Sequence, residues 1–238
     1  MQIALIAAIV FIAATQQVLS GFGFALIVMP LLVLLIGVKT AAPLVALAGL
    51  TLYAANVLRT RRAVDLRRVA QLGAGSLLGV PAGVWALGAV DERAVKGVLG
   101  AILVAYALYS LVRPDGRRLQ SSRWIYPAGF LAGCLGGAYN TPGPPVIVYG
   151  SLRGWPREKF RAVLQAFFLV NGTLVVASHL VAGNVTGEVL RLYGVAAVAM
   201  GAGLMAGARL DRRVSQQRFA GLVAAMILVL GASLMLDW

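Results

Sequence analysis

Apolar runs fill most of the chain, separated by short polar stretches rich in arginine. The runs at 41–58, 69–90, 95–112, 162–182, 188–208 and 218–236 have the length and composition of helices that cross a bilayer. Two longer runs do not fit that pattern. Residues 2–37 would measure about 54 Å as one helix, too long for a hydrocarbon core of ~30 Å and too short for two full crossings. Their soft centre, Gln16-Gln17-Val18-Leu19-Ser20-Gly21-Phe22-Gly23, predicts two short arms that meet at the glycines. Residues 124–152 pose the same problem and contain GCLGGAYNTPGPPVIVYG at 133–150. There Gly133, Gly136, Gly137 and Gly143 weaken a helix, and Pro142, Pro144 and Pro145 cannot donate backbone hydrogen bonds. Irregular backbone at membrane depth is tolerated only where protein buries it or where it lines a watery cavity. This stretch is therefore expected to break a membrane helix and make a solute site.

The polar stretches set a topology. Loop 59–68 carries Arg59, Arg61, Arg62, Arg67 and Arg68, which places it in the cytoplasm. The same bias places 113–123, 153–161 and 209–218 inside, whereas 91–96, with Asp91 and Glu92 against Arg93 and Lys96, goes outside. Loops 113–123 and 153–161 share a side, so the segment between them enters and leaves by one face as a re-entrant hairpin. By analogy 2–37 is a hairpin entered from outside.

Composition agrees with a membrane chain. Of 238 residues, 60% are hydrophobic and only 12% charged. A soluble domain carries roughly twice that charged share. The net charge of +13 reads as loop topology rather than as a nucleic-acid surface, because no basic face with aromatic platforms accompanies it. Cys134 is the only cysteine, which leaves no disulfide framework or thiolate cluster; it is expected to be a small packing residue. The start, MQIALIAAIVFIAATQQ, resembles a signal peptide but has no basic residue before Lys39, so it is expected to belong to the fold.

The halves echo each other. Gly21 and Gly136, Pro30 and Pro145, and Asn56 and Asn171 are each 115 residues apart. Gly79-xxx-Gly83 matches Gly203-xxx-Gly207, and Gly97 matches Gly221, at an offset of 124. Each half reads as a hairpin and three spans, and three crossings turn the second half upside down. The expected fold is all-α and membrane-embedded, with two inverted-topology repeats at 1–112 and 124–238 joined by a cytoplasmic linker at 113–123. Together they form one membrane domain over 1–238. Inverted repeats with broken helices are a recurring plan of secondary transporters.

In both hairpins the second arm starts at the break, so its N-terminus points into the membrane interior. Such an end offers unpaired N–H groups and a partial positive charge, which favour an anion without a buried cation. Candidate solute contacts are Gly137, Tyr139, Asn140, Thr141 and Gly143 in the second half. In the first half they are Gln16, Gln17, Ser20, Gly21 and Gly23. Asn56 and Asn171 either line the pathway or bond neighbouring helices, and Gln165 is similar. His179, the only histidine, is expected at the outer interface, and the two small-xxx-small patterns are expected to let helices approach closely. Glycines at the breaks have a plainer reading too, as packing residues.

The acids all fall in loops or at helix ends, so an intramembrane carboxylate relay is absent. With no catalytic constellation, metal cluster or phosphate loop, neither an enzyme nor a cofactor is expected.

The Gly-rich break followed by Pro, seen in SGFGFALIVMP and in GCLGGAYNTPGPPVIVYG, resembles the TauE/SafE family of bacterial membrane proteins. The resemblance covers most of the chain, and it implies export of sulfite or organic sulfur anions such as sulfonates. The resulting expectation is a multi-pass transporter in the bacterial inner membrane. Its partners are a small anionic solute and the lipid bilayer, with a homodimer left open and nucleic acid excluded. An anion channel and a transporter of an unrelated small solute remain alternatives.

Overall fold

The computed structural model describes residues 2–89 and 121–210, with scattered positions between 97 and 119 and between 225 and 232. The expected spans at 95–112 and 218–236 and most of the linker 113–123 lie outside the described residues. The described elements are all helical: α1 (Gln2–Ser20), α2 (Phe24–Thr60), α3 (Leu66–Ala89), α4 (Ile125–Tyr139), α5 (Gly143–Leu152), α6 (Arg157–Val181) and α7 (Gly187–Leu210). Five of them, α1, α2, α3, α6 and α7, are long and apolar enough to cross a membrane. The protein is an all-α, multi-pass membrane protein.

Both long apolar runs break where their sequence turns soft. α1 stops at Ser20 and α2 starts at Phe24, with Gly21 at φ 83° and Gly23 at φ 104°, backbone that L side chains rarely adopt. α4 stops at Tyr139 and α5 starts at Gly143. A further break at Gly37 (φ 73°, ψ 160°) divides α2 into a short arm, 24–36, and the crossing expected at 41–58. The two second arms lie at the centre of the protein. Phe24, Val28, Met29 and Leu32 are fully buried, as is Val146 in α5, while Leu77, Leu78, Trp85 and Val198 are exposed on outer helices. A helix apolar on all sides is stable only when enclosed in this way.

Each arm that precedes a break packs on a helix from the opposite half of the chain. α4 runs along α3, and α1 runs along α7, while α6 touches both α2 and α3. The small-xxx-small patterns form these contacts. A methyl group on Gly79 would stand 3.0 Å from Gly133 Cα and from the Cys134 nitrogen. A methyl on Gly203 would stand 2.6 Å from the Phe11 carbonyl oxygen, and one on Gly207 would stand 2.8 Å from Val18 Cβ. Backbones this close gain dispersion contact that a larger residue would prevent.

Lys159, in the first turn of α6, pairs with Asp65 at 2.6 Å. Asp65 also accepts the Arg68 N–H at 3.2 Å and so caps α3. The pair brings 59–68 and 153–161 to the same end of the protein, in keeping with their shared cytoplasmic placement from charge.

Candidate functional site

The first break is closed by glutamine side chains. Gln17 and Gln16 are 1% and 2% exposed. Gln17 Oε1 accepts the Phe24 N–H at 2.9 Å, and its amide nitrogen reaches Gln165 Oε1 at 3.5 Å. Gln165 donates in turn to the Gly21 carbonyl. The Gln16 amide lies against Gly23, where a Cβ would stand 2.9 Å from its Nε2. Arg161 Nη2 donates to the Val18 carbonyl at 3.0 Å in the last turn of α1. Gln16, Gln17, Gly21 and Gly23 therefore do come together. Their polar groups satisfy part of the broken backbone, the Phe24 N–H at the start of α2 among it. Ser20 ends α1, and its side chain is outside the described residues.

The second break is less fully paired. Asn140 adopts left-handed backbone (φ 55°), the only non-glycine described residue to do so. Asn tolerates that conformation better than most residues. Its N–H bonds the Gly136 carbonyl at 2.9 Å, and the Thr141 N–H bonds the Leu135 carbonyl at 3.2 Å. These bonds satisfy carbonyls at the end of α4. Asn140 Nδ2 also donates to the Ala42 carbonyl at 2.6 Å, which ties the break to α2. The Thr141 side chain is different. It is 1% exposed, and its hydroxyl has no hydrogen-bond partner. Two residues on, α5 begins with Gly143, Pro144 and Pro145. The prolines sit in the first turn, where a missing N–H costs least, and leave Gly143 and Val146 to supply its N–H groups.

α6 brings the two breaks together. Arg161 and Gln165, four residues apart on one face, touch the first. Phe168, one turn further, lies 3.5 Å from where a Cβ on Gly143 would stand, at the second. Gln165 and Phe168 differ by only about 4.5 Å of helical rise. They lie about 12 and 17 Å from the start of α6, near the middle of a bilayer.

The remaining candidates lie within the helices themselves, Gly137 and Tyr139 in the turn just before the second break. Gly137 faces the α3 backbone, with a Cβ 3.0 Å from the Val84 nitrogen. Asn171 donates to Ser76 Oγ at 3.3 Å, and Ser76 donates to the Gly129 carbonyl at 3.0 Å, a chain that joins α6, α3 and α4. Tyr139 and Asn56 are buried, in the last turn of α4 and in α2. His179 is also fully buried, and its Nδ1 pairs with Asn184 Nδ2 at 3.0 Å. It is a buried residue in the last turn of α6 rather than one facing the interface.

Arg161 and the Ala42 carbonyl are the contacts that sequence reasoning passes over. Arg161 counts there only as a loop charge, although its spacing of four from Gln165 is a face signal. The Ala42 carbonyl carries no sequence signal, because any residue supplies one.

A sequence model of the family described as Sulfite exporter TauE/SafE matches residues 6–234. The chain belongs to the TauE/SafE family. Among curated proteins it is 25% identical to the Probable sulfite/organosulfonate exporter TauE of Cupriavidus necator. The match covers 92% of this chain and 88% of that protein. No solved structure matches. In this TauE/SafE chain the two glycine-rich segments are helix breaks, and the described residues hold no cluster of His, Cys, Asp or Glu able to bind a metal ion.

Proposed function

We propose that this protein is a secondary transporter that exports a small sulfur-containing oxyanion, sulfite or an organosulfonate, across the bacterial inner membrane. Family membership and the name of the Cupriavidus necator relative support the solute class. The observation that carries the site is the Thr141 hydroxyl, buried without a partner beside the N-terminus of α5. Leaving such a group unpaired costs about 1–3 kcal/mol. A passing oxyanion would accept its hydrogen bond, and the partial positive charge of the α5 N-terminus would hold the same anion.

Alternating access would come from rocking of two inverted halves, 1–112 and 124–238, around the breaks. The exchanged packing, α4 on α3 and α1 on α7, is what two such halves would produce. On this reading the first break, tied by its glutamines, is the fixed side, and the second break is the side that meets solute.

The test is uptake of labelled sulfite and of methanesulfonate into proteoliposomes, with and without a pH gradient, for wild type and Thr141→Val. Saturable flux in wild type and a raised KM in the variant are expected. Absence of flux for both anions in folded wild-type protein would remove the solute class.

A further inference from the structure

We propose that the Arg161 guanidinium is the charged contact of the anion path, an inference that rests on the transport reading above. Arg161 stands in the second turn of α6, half-buried, with Nη2 on the Val18 carbonyl at 3.0 Å. That bond caps the carbonyl end of α1, which any neutral donor could do. Gln165, four residues along, does just that at Gly21. What arginine adds to a second amide is charge and spare donors, five N–H groups in a planar fork that matches an oxyanion.

The charge has no acidic partner among the described residues. Asp65, on the same side of the protein, is taken by Lys159 at 2.6 Å. A half-buried cation near the end of a membrane helix is best satisfied where something of opposite charge meets it. The backbone is also shaped to admit the side chain. A Cβ on Gly21 would stand 2.9 Å from Arg161 Nε and 3.2 Å from its Cγ, so the guanidinium lies across the break where a larger residue would displace it. Arg161, Gln165 and Phe168 form one continuous strip of α6 that leads from its cytoplasmic end past the first break to Gly143 at the second. An oxyanion entering from the cytoplasm would meet Arg161 first and Thr141 next.

The experiment compares Arg161→Gln, which keeps an amide donor without the charge, with Arg161→Lys, which keeps the charge. Sulfite KM is measured in proteoliposomes at low and high ionic strength, on protein that is monodisperse by size exclusion. Arg161→Gln is expected to raise KM about tenfold or more and to flatten its salt dependence, while Arg161→Lys stays within about threefold. An unchanged KM and salt dependence in Arg161→Gln, or equal impairment of both variants, would reduce Arg161 to a helix cap.

A measurement on wild type alone guards against a variant that does not fold. Calorimetry should detect methanesulfonate binding far tighter than that of neutral dimethyl sulfone. Equal binding of the two overturns the inference. Wild type that moves neither sulfite nor methanesulfonate overturns the proposed function and this inference with it. Wild-type flux with a charge-blind Arg161→Gln overturns this inference alone.

Discussion

Gln17 Oε1 accepts the Phe24 backbone N–H at 2.9 Å across the first break. This bond occupies the first N–H of a buried arm with a side chain from the arm before it. Replacing Gln17 by Leu removes the acceptor and leaves a buried donor behind. A loss of about 1–3 kcal/mol is expected. Thermal unfolding in detergent would measure it, and a variant as stable as wild type would mean that the joint does not depend on the glutamine.

The second break calls for the opposite outcome. Thr141→Val keeps the shape of the side chain and removes a hydroxyl that has no partner. Stability should stay level or rise slightly, since no internal hydrogen bond is lost. Sulfite KM should rise about tenfold or more, the worth of a hydrogen bond to a charged group. Thr141→Ser should retain transport. Asn140 is the poorer probe. It holds left-handed backbone and bonds Ala42, so Asn140→Ala would disturb the break itself.

Close packing of α3 on α4 predicts that Gly79→Val is damaging although no solute is near. The added side chain would meet the backbone of Gly133 and Cys134, which cannot rotate away. A cost of about 1–3 kcal/mol or more is expected, read as lower yield of monodisperse protein and an earlier unfolding transition.

The Asp65–Lys159 pair gives a pH signature where α3 and α6 begin. The Lys159 hydrogen bond chiefly, helped by the Arg68 N–H, holds the Asp65 carboxyl below its ordinary value against a smaller opposing effect of burial. The folded state then binds this proton more weakly than the unfolded state does. Its contribution is whole above the ordinary carboxylate pKa, fades as pH falls through it, and is gone below the lowered folded value. Both side chains are partly exposed, so screening keeps the pair within about 1 kcal/mol. Asp65→Asn should remove that part of the acid dependence in thermal melts between pH 3 and 7, a window set by ordinary carboxylate titration; unchanged acid dependence would mean that the pair contributes nothing.

Much of the architecture was legible in the chain. Two apolar runs too long for one crossing and too short for two had to break, and the breaks fell on Gly21–Gly23 and on Asn140–Pro142, where helix is weakest. The spans expected at 69–90, 162–182 and 188–208 appear as α3, α6 and α7 within a few residues. The small-xxx-small patterns met partner helices because a hydrogen side chain has one use at a close crossing. These are local or periodic properties, and sequence carries them directly.

The polar chemistry at the breaks was decided only by tertiary structure. Gln17, Asn140 and Thr141 look alike in sequence as polar residues beside glycines. One caps a helix start, one bonds a distant carbonyl, and one is left without a partner. Which of these a side chain does depends on what α2 and α6 place within 3 Å of it. Arg161 was legible as a topology charge, but its place against Gly21 depends on how α6 crosses the end of α1. The sequence by itself determined where the helices had to break, because glycine and proline weaken helix at those positions. Which polar groups at the broken ends then found partners was decided by packing, as where Gln165 and Arg161 of α6 reach the end of α1 from more than a hundred positions away.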